Sequence, residues 1–134
     1  MIIEPDVLLA ALNPEDPLNG LARKVIDQDA LLLSPFSLLE VNLLARAGKL
    51  EILDFDEFAR DLGALLDART IRTLTDRPEY HSEARRLESR FNLTFFDSLH
   101  GAMSKVQREI IVSFDRVYDR LNHEGVRRLD PKDI

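Results

Sequence analysis

The sequence predicts an α/β fold, a parallel sheet covered on both faces by helices, and three observations carry that expectation. Short apolar runs, MII at the start, ALLL at 30–33 and EIIVS at 109–113, have the length and composition of interior strands. Longer stretches with apolar residues at helical spacing separate them, the alternation expected of a parallel sheet. The 134 residues are enough for one domain with a substantial core, and 1–134 is read as a single domain.

The elements follow in order. Met1–Ile3 reads as a short buried strand. Pro5 suits the first turn of a helix, where a missing N–H costs nothing, and VLLAAL continues that helix. NPEDP is a turn. LNGLARKVIDQD has helical spacing at Leu18, Leu21, Ala22, Val25 and Ile26. After ALLL, SPFSLLEVNLLARAG starts with Ser34 as N-cap and Pro35 at the first helical position, and stops at Gly48. DEFARDLGALLDA is a further amphipathic helix. TIRTL (70–74) is polar enough to be a connection or a weak edge strand. PEYHSEARRLESRF is a long charged helix and LTFFDSLHGAMSKVQ a more apolar one. EIIVS is a strand, DRVYDRL a short helix and VRRL (126–129) a candidate last strand.

Composition narrows the function. Apolar residues make up 45% and charged residues 31%, as in ordinary soluble proteins, and no apolar run is long enough to span a membrane. The start lacks the basic segment of a signal peptide. With no cysteine, disulfides, zinc–thiolate sites and cysteine nucleophiles are excluded. These features lead to the expectation of a cytoplasmic protein with no membrane partner. A net charge of −6 and a pI near 5.0 argue against a broad basic surface for nucleic acid. They do not argue against an enzyme whose metal ions offset its own carboxylates.

Several acids stand where acids are unusual. Glu4 and Asp6 follow the first strand, and Asp115 follows EIIVS directly. On its helix Glu40 shares a face with Phe36, Leu43, Leu44 and Ala47, so it falls within an apolar stripe. A buried carboxylate needs a partner or a metal, and a buried arginine would be the structural alternative. Asp97 has the capping-box spacing from Thr94, and Asp115 could simply cap the next helix. Counting Glu4 with Asp6, three of the four sites fall at the carboxyl end of a strand or the start of a helix and the fourth, Glu40, in an apolar stripe. In a doubly wound sheet they are expected to converge on one cleft beyond the strand ends. Carboxylates gathered there repel one another, and a hard divalent cation such as Mg²⁺ or Mn²⁺ resolves the conflict.

An acid after the first strand followed by VLLAAL, then SPFSLLEVNLL, FFDSLH and IIVSFDRVYD, resembles the PIN domain family, and among its small members the VapC-type toxins. The resemblance covers nearly the whole chain in order. It implies a three-layer α/β/α sandwich with a central parallel sheet of four to five strands, and a metal-dependent endoribonuclease using Mg²⁺ or Mn²⁺. It carries the catalytic and metal-binding roles onto Glu40, Asp97 and Asp115, with Asp119 as a further metal ligand. Ser113 matches the serine or threonine before the fourth acid and is expected to hydrogen-bond within the site. It is grouped with Arg116 as substrate-binding. At the first acid the sequence departs from the usual Asp-Thr-Asn or Asp-Ser-Ser. Glu4 takes that position and Asp6 stands where the family has a small polar residue, so either Glu4 reaches the metal or Asp6 assumes part of its role. A site that binds metal but works poorly is the third alternative.

His100 lies three residues after Asp97 on one helix face, where a rim or packing role is the expectation, while His81 and His123 lie in polar surroundings. Arg69, Arg72, Arg77, Arg86, Arg90, Arg116 and Arg120 are candidates for phosphate contact. Acids flank the 79–90 group, which reads better as a salt-bridged face, and Arg116 is preferred because it adjoins Asp115. LLEVNLL and FDEFARDLGALL carry more apolar residues than a small domain readily buries alone, and such surface can equally be core. The resemblance implies a homodimer through these helices and an antitoxin protein as a partner. Two functions therefore stand at this point: an RNA-cleaving enzyme, or a PIN-fold protein that binds RNA or a partner without cleaving.

Overall fold

The computed structural model describes residues 1–134 in full. Along the chain run β1 (Ile2–Ile3), α1 (Pro5–Leu12), α2 (Asn19–Ile26), β2 (Leu32–Leu33), α3 (Ser37–Arg46), α4 (Phe55–Ala68), β3 (Arg72–Thr73), α5 (Pro78–Phe91), α6 (Phe95–Gln107), β4 (Ile111–Val112) and β5 (Arg128–Leu129). A 3₁₀ helix, Arg116–Glu124, joins β4 to β5, and a short one, Pro131–Asp133, ends the chain. No helix is long and apolar enough to cross a membrane.

The five strands form one parallel sheet in the order β3-β2-β1-β4-β5. Alternation along each strand builds two cores. Ile2 and Ile111 face α5, α6 and the longer 3₁₀ helix, where they join Leu87, Met103, Tyr118 and Leu121. Ile3, Leu33 and Val112 face the opposite layer with Val7 and Ala11 of α1, Val25 of α2 and Leu62 of α4. The result is the expected α/β/α layering. TIRTL proves to be the edge strand of the two alternatives, with Arg72 and Thr73 exposed.

The chain runs outward from β1 through β2 to β3, then returns to the other side of β1 as β4. The β1/β4 boundary is thus the switch point of the sheet, where diverging connections leave a crevice. Ile3, Leu33 and Val112 are in register across the sheet. One residue further on stand Glu4, Ser34 and Ser113, which alternation turns toward the α6 layer. Polar residues here are therefore a property of the rung just beyond the ladder.

Helix α6 is set over that rung by the turn before it, by its N-cap and by a close approach at its middle. Asn92, at φ 52°, adopts the left-handed conformation that stops α5. Thr94 then caps α6, accepting the Asp97 N–H at 3.2 Å. Gly101 lets α6 approach the 3₁₀ helix, since a Cβ there would meet Leu121 Cδ1 at 3.0 Å. Helix α3 departs from expectation. It begins at Ser37 rather than Pro35, because Ser34–Phe36 form a tight turn in which Ser34 Oγ accepts the Phe36 N–H at 3.2 Å. Only Ser37 and Val41 of α3 are buried, and Leu38, Leu39 and Leu43 face solvent. The apolar stripe around Glu40 is thus largely an open surface.

Candidate active site

A cavity of about 180 Å³ opens at the β1/β4 boundary, and Glu4, Asp6, Glu40, Asp97 and Asp115 all line it, with Pro5, Leu9 and Leu44. Glu4 and Asp6 come from the end of β1 and the start of α1, Glu40 from α3, Asp97 from the first turn of α6 and Asp115 from the residue before the 3₁₀ helix. No basic side chain lines it. Two other hollows differ in chemistry. One of about 190 Å³ between α3 and α4 has no titratable side chain in its wall. The larger, about 420 Å³, is walled mainly by leucines, Ile52 and Phe58.

The five acids are held unequally. Glu4 is buried, with both oxygens engaged: Oε2 accepts from Ser113 Oγ at 2.5 Å and Oε1 from the Tyr118 hydroxyl. Burial, and then the neighbouring charge of Asp6, pushes its carboxyl well above the usual range. Asp6 Oδ2 accepts the Phe114 N–H at 2.8 Å and lies 3.0 Å from Ser113 Oγ. Its Oδ1 is buried and has no hydrogen-bond partner. Burial raises the Asp6 carboxyl too, although the hydrogen bonds from Phe114 and Ser113 oppose the shift. Asp97 Oδ2 accepts from Thr94 Oγ1 at 2.5 Å, and Asp115 Oδ1 caps the 3₁₀ helix by accepting the Val117 N–H at 2.8 Å. Both acids keep their capping roles and line the cavity as well.

Glu40 has no arginine partner. Its Oε2 lies 2.8 Å from Nε2 of His100, a fully buried residue whose Nδ1 is 2.9 Å from Ser34 Oγ. His100 is therefore neither at a rim nor simple packing. Spacing gave one signal, since His100 follows Asp97 by one helical turn. Ser34 gave another, standing after β2 as Glu4 stands after β1. Nothing in the sequence pointed to Tyr118.

Asp119 and Ser113 stand differently from the five acids. Asp119 does not line the cavity: its carboxylate is held by Arg128, whose Nε and Nη2 donate at 2.9 and 3.2 Å, and this pair draws the carboxyl below its usual range. Ser113 is fully buried, with its hydroxyl shared among Glu4, Asp6 and the Asp115 N–H, so it braces the acids and cannot touch a substrate. Of the arginines, Arg69 pairs with Asp27, Arg77 with Glu79, and Arg86 and Arg90 with Glu124. Arg116 is exposed and has no ion-pair partner.

The donor set fits a hard divalent cation, because it is made of carboxylate oxygens and one of them, Asp6 Oδ1, is buried without a partner. The acids line a cavity rather than a finished cage, for no three of them gather at ligating distance.

The family model described as PIN domain matches residues 1–124. Three solved structures resemble the chain over most of its length. A toxin–antitoxin complex from Klebsiella pneumoniae has a chain 14% identical, with a TM-score of 0.69, covering 99% of this chain and 98% of that one. The FitAcB structure from Neisseria gonorrhoeae is 15% identical, with a TM-score of 0.67 and 99% of each chain covered. A protein from Pyrobaculum aerophilum is 20% identical, with a TM-score of 0.65, covering 95% of this chain and 81% of that one. At these identities the likeness concerns the fold. No curated protein matches the chain in sequence.

Proposed function

The chain belongs to the PIN domain family, and on that premise we propose that it is a metal-dependent endoribonuclease acting as the toxin of a toxin–antitoxin pair in the cytoplasm. PIN domains are generally nucleases. The observation that carries the reading here is the convergence of five carboxylates from separate segments on one cavity at the switch point. Asp6, Glu40, Asp97 and Asp115 would hold Mg²⁺ or Mn²⁺. Of the two acids after β1, Asp6 is the better ligand, because its Oδ1 is unpartnered while both Glu4 oxygens already accept hydroxyl hydrogens.

When bound, the ion supplies Lewis acidity and charge neutralisation for phosphodiester hydrolysis. The chain supplies the arrangement. Ser113 ties Glu4, Asp6 and the Asp115 backbone together through one hydroxyl. Thr94 holds Asp97, and His100 holds Glu40. Arg116 lies next to Asp115 with no carboxylate committed to it, and would contact an RNA phosphate at the mouth. The open leucines of α3 and the apolar hollow between α3 and α4 would receive a second copy of the chain and an antitoxin.

The test is cleavage of matched RNA and DNA oligonucleotides by purified protein in Mn²⁺, in Mg²⁺ and in EDTA. RNA cleavage that EDTA abolishes, and that Asp97→Asn lowers at least about a hundredfold, supports the reading. Binding of RNA without cleavage in either metal would favour the non-cleaving alternative.

A further inference from the structure

His100 is fully buried, and each of its ring nitrogens meets a polar atom. Ser34 Oγ accepts the Phe36 N–H at 3.2 Å and lies 2.9 Å from Nδ1 of His100. Because the Glu40 carboxylate on the other side of the ring can only accept, Nε2 carries a hydrogen, and Nδ1 of the neutral ring takes the Ser34 hydrogen. A neutral ring that accepts at Nδ1 carries its hydrogen on Nε2. That hydrogen points at Glu40 Oε2, 2.8 Å distant. The ring is walled by Phe96, near-parallel at 28° and 6.4 Å between centroids, and by Phe36 at 6.4 Å. It cannot turn without opening this part of the core.

Glu40 needs such a hold. Its side chain is 17% exposed on a helix that buries only Ser37 and Val41. His100 is its one side-chain partner, and Oε1 is left without a partner from the protein. A free glutamate of this length would lose side-chain entropy whenever it were called to the cavity.

We propose that His100 is a positioning residue that holds the Glu40 carboxylate at the cavity, with Ser34 fixing the ring tautomer that donates to it. The proposal rests on the metal-binding reading above and extends it to a residue outside the acid set. Asp97 and His100 then act from one helix, the first as a ligand and the second as the brace for a ligand on α3.

The test uses two amides of different reach. His100→Asn places its amide near the Nδ1 position and falls short of Glu40. His100→Gln places its amide near the Nε2 position and can still donate to Glu40. Mn²⁺ uptake is followed by the electron paramagnetic resonance signal of the free ion, beside thermal melts of each variant. His100→Asn is expected to bind Mn²⁺ about tenfold more weakly than wild type, and His100→Gln to return within about threefold, even where the two melt alike. Ser34→Ala, which leaves the ring in place but frees its tautomer, is expected to fall between them and secures the test if the asparagine variant does not fold. Wild-type affinity in His100→Asn, or a glutamine variant no better than the asparagine one, overturns the role of His100 alone. A wild type that takes up no Mn²⁺, or whose uptake Asp97→Asn leaves unchanged, overturns the metal reading and this inference with it.

Discussion

The phenol of Tyr118 donates its hydrogen to Oε1 of Glu4, and both side chains are withdrawn from solvent, at 0% and 6% exposure. With Ser113 on the other oxygen, Glu4 is satisfied before any ligand arrives. On the proposed reading the glutamate would serve as a brace at the position where an acid ligand was expected. Tyr118→Phe leaves a buried acceptor unmatched and should lower stability by about 1–3 kcal/mol in urea unfolding at pH 7. The same variant should disturb Mn²⁺ affinity less than Asp6→Asn does.

Asp6 and Glu4 give the metal-free protein a pH dependence with a definite sign. Both carboxyls are raised by burial, so the folded state keeps their protons at pH values where the unfolded chain has lost them. Stability therefore falls as pH rises from the unfolded values, near 4, through the raised folded ones. Asp6→Asn removes one of the two charges. In EDTA its melting temperature should match wild type near pH 4 and exceed it by roughly 3 °C at pH 8. Adding Mn²⁺ should stabilise wild type more than the variant and reverse the order. Equal melting temperatures at every pH would mean that the two carboxylates do not oppose each other.

Asp119 tests how far the family pattern can be carried over. Its carboxylate is half exposed and committed to Arg128. Asp119→Asn should cost about 1–2 kcal/mol, because the Arg128 side chain it leaves is only 8% exposed but keeps Asp130 as a second partner. Its Mn²⁺ affinity should equal that of wild type in the same titration. A loss comparable to that of Asp97→Asn would return Asp119 to the ligand set.

The open face of α3 predicts self-association. Leu39 is 54% exposed beside Leu38 and Leu43, with the apolar hollow of α3 and α4 next to them. A leucine row of this kind on a small protein marks an interface. Leu39→Glu should convert a dimer into a monomer in sedimentation velocity while leaving the far-ultraviolet circular dichroism unchanged. A wild type that sediments as a monomer at every concentration would refute the homodimer.

Much of this was legible in the sequence because period and punctuation are local. MII, ALLL and EIIVS gave three of the five strands, and Pro5, Thr94 and Gly48 marked helix ends correctly or within a residue or two. Glu40 could be named because it broke an apolar stripe. Glu4, Asp6, Asp97 and Asp115, each with an ordinary local account, were named from their places after strands or at helix starts and from the family resemblance. What escaped depends on contacts between distant segments. Ser34 looked like a helix cap and, besides accepting the Phe36 N–H, serves His100, 66 residues away. Tyr118 carried no signal in the sequence, yet it reaches Glu4 from 114 residues away. Glu40 was placed in a buried stripe because helical period says which residues share a face, but not whether a neighbour covers it. Asp119 lies apart from the cavity because Arg128, nine residues on, holds it from the next strand.

The most direct measurement is anomalous diffraction from crystals of the wild-type protein soaked in Mn²⁺. The account predicts an anomalous peak in the cavity at the β1/β4 boundary, among Asp6, Glu40, Asp97 and Asp115, with Glu4 still bound to Tyr118 and Ser113. A crystal that takes up Mn²⁺ elsewhere and none in this cavity would contradict it.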